Sequence, residues 1–273
     1  MTQRKRVWTR REVVGAGLVG MFGARAIAAQ ERPYGPFRMG IQSYSLRGFK
    51  LEEAIRHTRD LGLRYWEGTQ VHLPLTMTSE AIAAAREQLS TAGIRLRAWG
   101  VQRFTGDAAE CRRIFEFARA LGLRVISADP APEAFEHLEK LVAEFQIKIA
   151  IHNHGPRSRY DKIQQVLDAV NGRHEAIGAC VDTGHFLRSR EDPVEAIRKL
   201  GPRVHGVHLK DVKDATRFTV LGKGDLDLVG CLRALRDLNF REVLALEYEE
   251  NPSQPIADIQ ECLAAVRAAV ARL

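Results

Sequence analysis

Two segments near the middle of the chain combine residue types that hold metal ions or move protons: Val181-Asp182-Thr183-Gly184-His185 and Val204-His205-Gly206-Val207-His208-Leu209-Lys210-Asp211. Each lies at the end of an apolar run that reads as a buried strand. A third run, Leu244-Ala245-Leu246, ends in Glu247, and a fourth, Ile147 to Ile151, ends in His152-Asn153-His154. Four strands that stop on Asp, His, Glu and His point to one cluster of ligands at one end of a barrel. Several acids and imidazoles buried together are costly unless they are paired or bind a metal. Mixed carboxylate and imidazole donors suit one divalent ion from the group Mn²⁺, Zn²⁺, Co²⁺, Mg²⁺ and Fe²⁺.

Such a cluster needs elements that deliver it. From Phe37 onward, short apolar runs alternate with longer amphipathic stretches. The strand candidates are 39–44, 64–67, 95–100, 124–128, 148–152, 177–182, 204–209 and 243–247. Between them, a period near 3.6 predicts helices over 51–61, 79–91, 108–121, 132–145, 160–170, 193–200, 226–238 and 256–270. Four of these helices run into a glycine that reads as a C-cap: Gly62, Gly93, Gly122 and Gly201. Eight βα units over residues 37–273 predict a single-domain α/β fold, a (β/α)₈ TIM barrel. An open doubly wound sheet would carry a Gly-rich phosphate loop after its first strand. Here that position reads Gln42-Ser43-Tyr44-Ser45-Leu46-Arg47-Gly48.

Functional groups of a TIM barrel gather at the carboxyl ends of its strands. In chain order those ends offer Gln42 and Tyr44, Glu67 and then His72, Trp99 with Gln102 and Arg103, Asp129, His152 to His154, Asp182 and His185, His208 with Lys210 and Asp211, and Glu247 with Glu249.

The segments Asp182-Thr183-Gly184-His185, His208-Leu209-Lys210-Asp211 and Leu221-Gly222-Lys223-Gly224-Asp225-Leu226-Asp227 resemble those of the sugar isomerase/epimerase superfamily with a xylose isomerase-like barrel. Ketose 3-epimerases, inosose isomerases and dehydratases, and the endonuclease IV family share that fold. The resemblance extends from Gly40-Ile41-Gln42-Ser43-Tyr44 to Leu246-Glu247-Tyr248-Glu249. It implies that Asp182, His208 and Glu247 are metal ligands and that His185 contacts substrate. Where the epimerases carry a Glu as the first ligand, this chain has His152, with His154 on the same face of the strand. Either histidine could be the ligand and the other a base; alignment with the family position favours His152 as the ligand.

The resemblance also implies the chemistry. A divalent ion holding a hydroxyl and a neighbouring carbonyl oxygen acidifies the C–H between them. Glu247 is the first candidate for the catalytic base, with His152 or His154 the second. Lys210 could steady the developing oxyanion, Glu67 and Arg103 could contact substrate, and Trp99 or Tyr44 could stack on a sugar face. The expected substrate is a small carbohydrate, a keto-sugar or related polyol derivative, and the expected reaction is isomerisation or epimerisation. Two alternatives remain open: a lyase or inosose-type dehydratase, and a non-catalytic sugar-binding barrel. The endonuclease branch would need further histidines after the second and third strands and an Asp-x-His pair after the seventh; here the third strand ends Trp99-Gly100-Val101-Gln102-Arg103 without a histidine, and no Asp-x-His follows His208.

The first residues belong to a different argument. Arg4-Lys5-Arg6 and Thr9-Arg10-Arg11-Glu12 precede a short Gly-rich apolar stretch and Ala26-Ile27-Ala28-Ala29, which resembles a twin-arginine export signal over residues 1–28. A periplasmic or otherwise exported protein with no stable membrane span after signal removal is expected. Residues 1–28 carry +5 of the formal net charge of +7, which leaves the remainder near +2. Its Lys and Arg are interspersed with acids, so the sequence reads as a solvated surface rather than a nucleic-acid stripe. The four cysteines, Cys111, Cys180, Cys231 and Cys262, form no CxxC pair and read as buried thiols. The assembly is left open, with a homodimer among the outcomes.

Overall fold

Runs that are apolar on both faces cannot sit at a surface, so they become the staves of a barrel whose interior and exterior are both covered. The computed structural model describes residues 33–273, so the export signal expected over residues 1–28 lies outside the described residues. Residues 37–273 form one compact unit. Its strands are β1 (Arg38–Gln42), β2 (Tyr65–Gly68), β3 (Arg95–Phe104), β4 (Val125–Pro130), β5 (Lys148–His152), β6 (Ile177–Asp182), β7 (Val204–Leu209), β8 (Asp211–Lys213), β9 (Arg217–Thr219) and β10 (Val243–Leu246). Eight of them close in the order β1-β10-β7-β6-β5-β4-β3-β2, every pair parallel. The (β/α)₈ barrel expected from the periodicity is the fold.

The helices are α1 (Leu51–Asp60), α2 (Ser79–Thr91), α3 (Ala108–Leu121), α4 (Phe135–Phe145), α5 (Ile163–Val170), α6 (Thr183–Arg188), α7 (Pro193–Leu200), α8 (Leu228–Asp237) and α9 (Ile256–Val270). The four helix-ending glycines all have positive φ, between 53° and 75°. That conformation disfavours any residue with a Cβ, which is why glycine marked the boundaries so well. Inside the barrel, Ala98, Val125, Ala150 and Cys180 form a buried cluster of small side chains below the strand ends. All four cysteines are free and buried. No helix among the described residues is long and apolar enough to cross a membrane.

Several boundaries differ from the expectation, each for a local reason. Strand β1 stops at Gln42 because its side-chain oxygen accepts from the Tyr44 backbone N–H at 2.8 Å and turns Ser43–Leu46 into a 3₁₀ turn. Strand β3 continues past Gly100 to Phe104, with its register to β4 shifted between Trp99 and Gln102. The helix expected from 132 splits into a 3₁₀ turn at Pro132–Ala134 and α4. The hairpin of β8 and β9 was not anticipated, since three-residue strands carry too little periodicity to detect.

His205, on β7 toward its amino end, is a structural histidine. It is buried, with Nε2 2.9 Å from the Glu175 carbonyl oxygen, and burial pushes its pKa from 6.5 down to about 4. Between those values the unfolded chain binds more protons than the folded one. His205 therefore contributes stability above pH 6.5 that is lost as pH falls toward 4. Replacing it as His205→Gln is expected to remove roughly 3 kcal/mol of acid-induced destabilisation, at about 1.4 kcal/mol per pH unit. Urea unfolding at pH 7 and pH 4 measures this; an unchanged pH dependence in the variant would refute it.

Candidate active site

Strands β5, β6 and β7 end at His152, Asp182 and His208-Leu209, and Glu247 follows β10 directly. Closure of the barrel turns these four chain positions toward one another. One donor atom from each lies within 4.8 Å of all the others. His152 Nε2 is 3.0 Å from His208 Nδ1 and 3.5 Å from Asp182 Oδ2, and His208 Nδ1 is 3.0 Å from Glu247 Oε2. Asp182 and His208 are fully buried, and Glu247 is the most accessible of the four at 8%.

The Asp-Thr-Gly-His segment is mainly scaffolding for this cluster. Asp182 Oδ1 accepts from the His185 backbone N–H at 2.7 Å, which caps α6 and leaves Oδ2 facing the cluster. Asn153 locks the same corner: its Oδ1 accepts from the Asp182 N–H at 2.8 Å and its Nδ2 donates to the Asp182 carbonyl at 2.9 Å. The Thr183 hydroxyl donates to the Lys210 carbonyl at 2.7 Å and accepts from the Lys210 N–H at 2.9 Å. Gly184 is glycine because a Cβ there would stand 2.6 Å from Cγ of Lys210, whose stem passes across it.

Lys210 is buried and directed at the cluster. Its ammonium lies 3.0 Å from Asp182 Oδ2 and 3.1 Å from Glu247 Oε2, and it pairs with Glu249. Burial by itself would protonate Asp182 and Glu247; Lys210 above all, joined at Glu247 by His208, holds both well below the usual carboxylate range. Burial lowers His152 and His154 and takes His185 down to about 4, so these three imidazoles are neutral at neutral pH. Burial also disfavours charge on His208, yet Cys180, Glu67 and Glu247 raise it well above the ordinary histidine range.

The donor set fits a divalent ion. Asp182 Oδ2 and Glu247 Oε2 are buried acceptors with no aligned hydrogen bond, despite their short distances to Lys210. Two imidazole nitrogens face each other beside two ionised carboxylates, a mixed N/O set suited to a borderline metal. Behind His208, Glu67 Oε2 stands 3.0 Å from Nε2, and Glu67 Oε1 accepts from the Ser127 hydroxyl at 2.6 Å. A carboxylate in that position fixes the ring of a ligating histidine.

Above the cluster opens a cavity of about 480 Å³, lined by His152, His154, His185, Glu247 and Glu249 together with Gln42, Tyr44 and Gln70. Of the residues named from sequence, Glu247, His152, His154 and His185 reach this cavity, while Asp182, His208 and Lys210 form its buried base. Three of the expected substrate contacts do not reach it. Trp99 is fully buried against Phe117 of α3, and its indole N–H donates to the Leu73 carbonyl at 3.0 Å. Arg103 is exposed, because strand alternation buries its neighbour Gln102 instead. Glu67 contacts His208 rather than the cavity.

Besides Tyr44 in the cavity wall, an aromatic beside the site is Phe218 of the β8–β9 hairpin. Its ring centroid is 5.6 Å from that of His185 and 5.2 Å from the Lys210 ammonium. Sequence reasoning missed it, as it missed Ser127 and Gln70, because none stands at a strand end with a distinctive neighbourhood. Asp211, one of the strand-end acids, anchors a loop: its carboxylate accepts from the backbone N–H groups of Val212, Gly222, Gly224 and Leu226.

The profile of the family described as xylose isomerase-like TIM barrel matches residues 55–268. An inosose dehydratase of Clostridium botulinum is 29% identical over 139 residues, 42% of this chain and 45% of that protein. The matched segment thus spans less than half the length of that relative. Among solved structures, D-psicose 3-epimerase with D-fructose aligns at TM-score 0.65 and 17% identity, covering 86% of this chain and 97% of the other. The IOLI protein with a zinc atom aligns at TM-score 0.71 and 18% identity, covering 86% and 98%. At those identities the structural likeness concerns the fold.

Removing the hydroxyl as Thr183→Val leaves the buried Lys210 N–H and carbonyl without their partner. The expected cost is about 2–3 kcal/mol of unfolding free energy, since an unsatisfied buried group costs roughly 1–3 kcal/mol. Denaturant titration measures it, and a loss under about 0.5 kcal/mol would show that Thr183 does not hold the corner together.

Proposed function

The chain belongs to the xylose isomerase-like TIM barrel family, and from that premise we propose that it is a metal-dependent enzyme that transfers a proton within a keto-sugar or related polyol derivative, an isomerase or epimerase. The observation that carries this reading is the convergence of His152, Asp182, His208 and Glu247 at the floor of a cavity large enough for a monosaccharide. These four residues would hold a divalent ion, which would polarise adjacent hydroxyl and carbonyl oxygens of the substrate and so acidify the C–H of the hydroxyl-bearing carbon next to the carbonyl.

The chain's own groups do the rest. Glu247 is ionised and lines the cavity, so it accepts the proton. With His152 committed as a ligand, neutral His154 is the second acid–base group, at 4.5 Å between ring centroids from His152. His185 orients substrate hydroxyls. Lys210, already aimed by its carboxylates, offers positive charge to the oxygen that becomes negative. Phe218 covers His185 and Lys210 and limits water there.

A second reading, dehydration of an inosose-type ketone, has its own support. A relative from Clostridium botulinum is an inosose dehydratase, and His152 stands where the epimerases place one carboxylate of their acid–base pair. Both readings begin with the same proton abstraction and differ in whether a hydroxyl then leaves.

Metal analysis of the purified protein is expected to find one divalent ion per chain, lost in His152→Ala and in Glu247→Ala. Glu67→Gln is expected to weaken metal affinity about 10- to 100-fold with the fold intact. In deuterated water, keto-sugars should gain deuterium beside the carbonyl, and Glu247→Gln should slow this by about 10²- to 10⁴-fold. Mass loss corresponding to water, with inososes as substrates, would select the dehydratase reading. Absence of both metal and exchange would sink the enzyme reading and leave a sugar-binding barrel.

A further inference from the structure

The amino end of the barrel, opposite the His152 cluster, carries unusual charge. Arg38 opens β1, Arg64 immediately precedes β2, Arg95 and Arg97 are the first and third residues of β3, and Arg124 immediately precedes β4. Spread over residues 38–124 and interspersed with acids, they look like ordinary surface arginines in the sequence. Parallel closure places adjacent strand starts side by side and gathers them.

Arg64, Arg95 and Arg97, together with Arg86 from α2, line a cavity of about 800 Å³ that has no acidic residue in its wall. Arg86 is held in place by donating from Nη1 to the Ala120 carbonyl at 3.0 Å. Arg97 is half-buried, its Nε is buried without a hydrogen-bond partner, and burial together with Arg124 and Arg38 lowers its pKa. The carboxylate that opposes this effect, Glu242, is itself paired with Lys148 at 3.0 Å. Four arginines around one cavity with no acid in its wall, one of them with a buried, unsatisfied N–H, leave positive charge there without a local counter-charge. Planar forked donors around one cavity match the oxygens of a tetrahedral anion.

We propose that this cavity is a second ligand site, which binds a small multivalent oxyanion of the phosphate or sulfate type between Arg64, Arg86, Arg95 and Arg97. It is independent of the catalytic reading, since the two sites lie at opposite ends of the strands.

The probe is inorganic phosphate, with sulfate as a second arm, titrated into the full chain at ionic strength held constant with sodium chloride. Thermal unfolding and titration calorimetry are the readouts. The expected result is a saturable rise in Tm, of roughly 5 °C at a hundredfold excess over Kd. Arg95→Gln and Arg97→Met should each weaken binding tenfold or more, and His152→Ala should leave it unchanged. Arg95 is exposed, so its variant keeps the test valid if Arg97→Met unfolds. A shift no larger than chloride gives, or one undiminished in Arg95→Gln, overturns the proposal. A shift abolished by His152→Ala instead places the anion in the other cavity and also overturns it.

Discussion

Asp182 and Glu247 are carboxylates removed from water, and a buried negative charge persists only where positive charge or hydrogen-bond donors replace the lost solvation. This requirement organises the carboxyl end of the barrel. Lys210 brings its ammonium to about 3 Å from both carboxylates, and its own position depends on the Thr183 hydroxyl and on the missing side chain of Gly184. Glu67 meets the far side of His208 and is tied down by Ser127. Asp182, Lys210 and His208 are thus each held by a residue outside the cavity wall, Asn153, Thr183 and Glu67 in turn, which sets their geometry before any ligand arrives.

The same compensation accounts for the direction of the ionisable groups. Where Lys210 is close, acids stay ionised in spite of burial. Where no acid dominates, burial wins and the imidazoles of His152, His154 and His185 stay neutral. Ionised Asp182 and Glu247 beside neutral His152 are ready to donate electron pairs to a cation, whereas His208, whose pKa its neighbouring acids raise, must release a proton on binding one. The amino end of the barrel is the reverse case, with guanidinium groups and no carboxylate in the cavity wall.

Much of this was legible in the chain. Strands buried on both faces are continuous apolar runs, and β5, β6 and β7 have the bounds that their runs predict. Helix ends were marked by glycines whose positive φ few other residues tolerate. The strand-end rule then placed His152, Asp182, His208 and Glu247 at one rim, and the donor atoms do meet there. The rule failed for Trp99 and Arg103 because β3 runs four residues beyond the expected stop, so neither is a strand end. It misjudged Glu67 because it cannot tell a side chain that faces the cavity from one that faces a ligand's back.

The sequence by itself determined the βα repeat, the barrel and the strand ends from which the donors converge, because these follow from local periodicity, and the four strands that carry the donors end within one residue of where their apolar runs stop. Only the tertiary structure decided the pairing of Glu67 with His208, the reach of Lys210 into the cluster, the placement of Phe218 beside it and the gathering of arginines at the other mouth. Those contacts join residues far apart in the chain. No local pattern encodes them, because they arise when closure brings strand ends, a hairpin and adjoining helices into register.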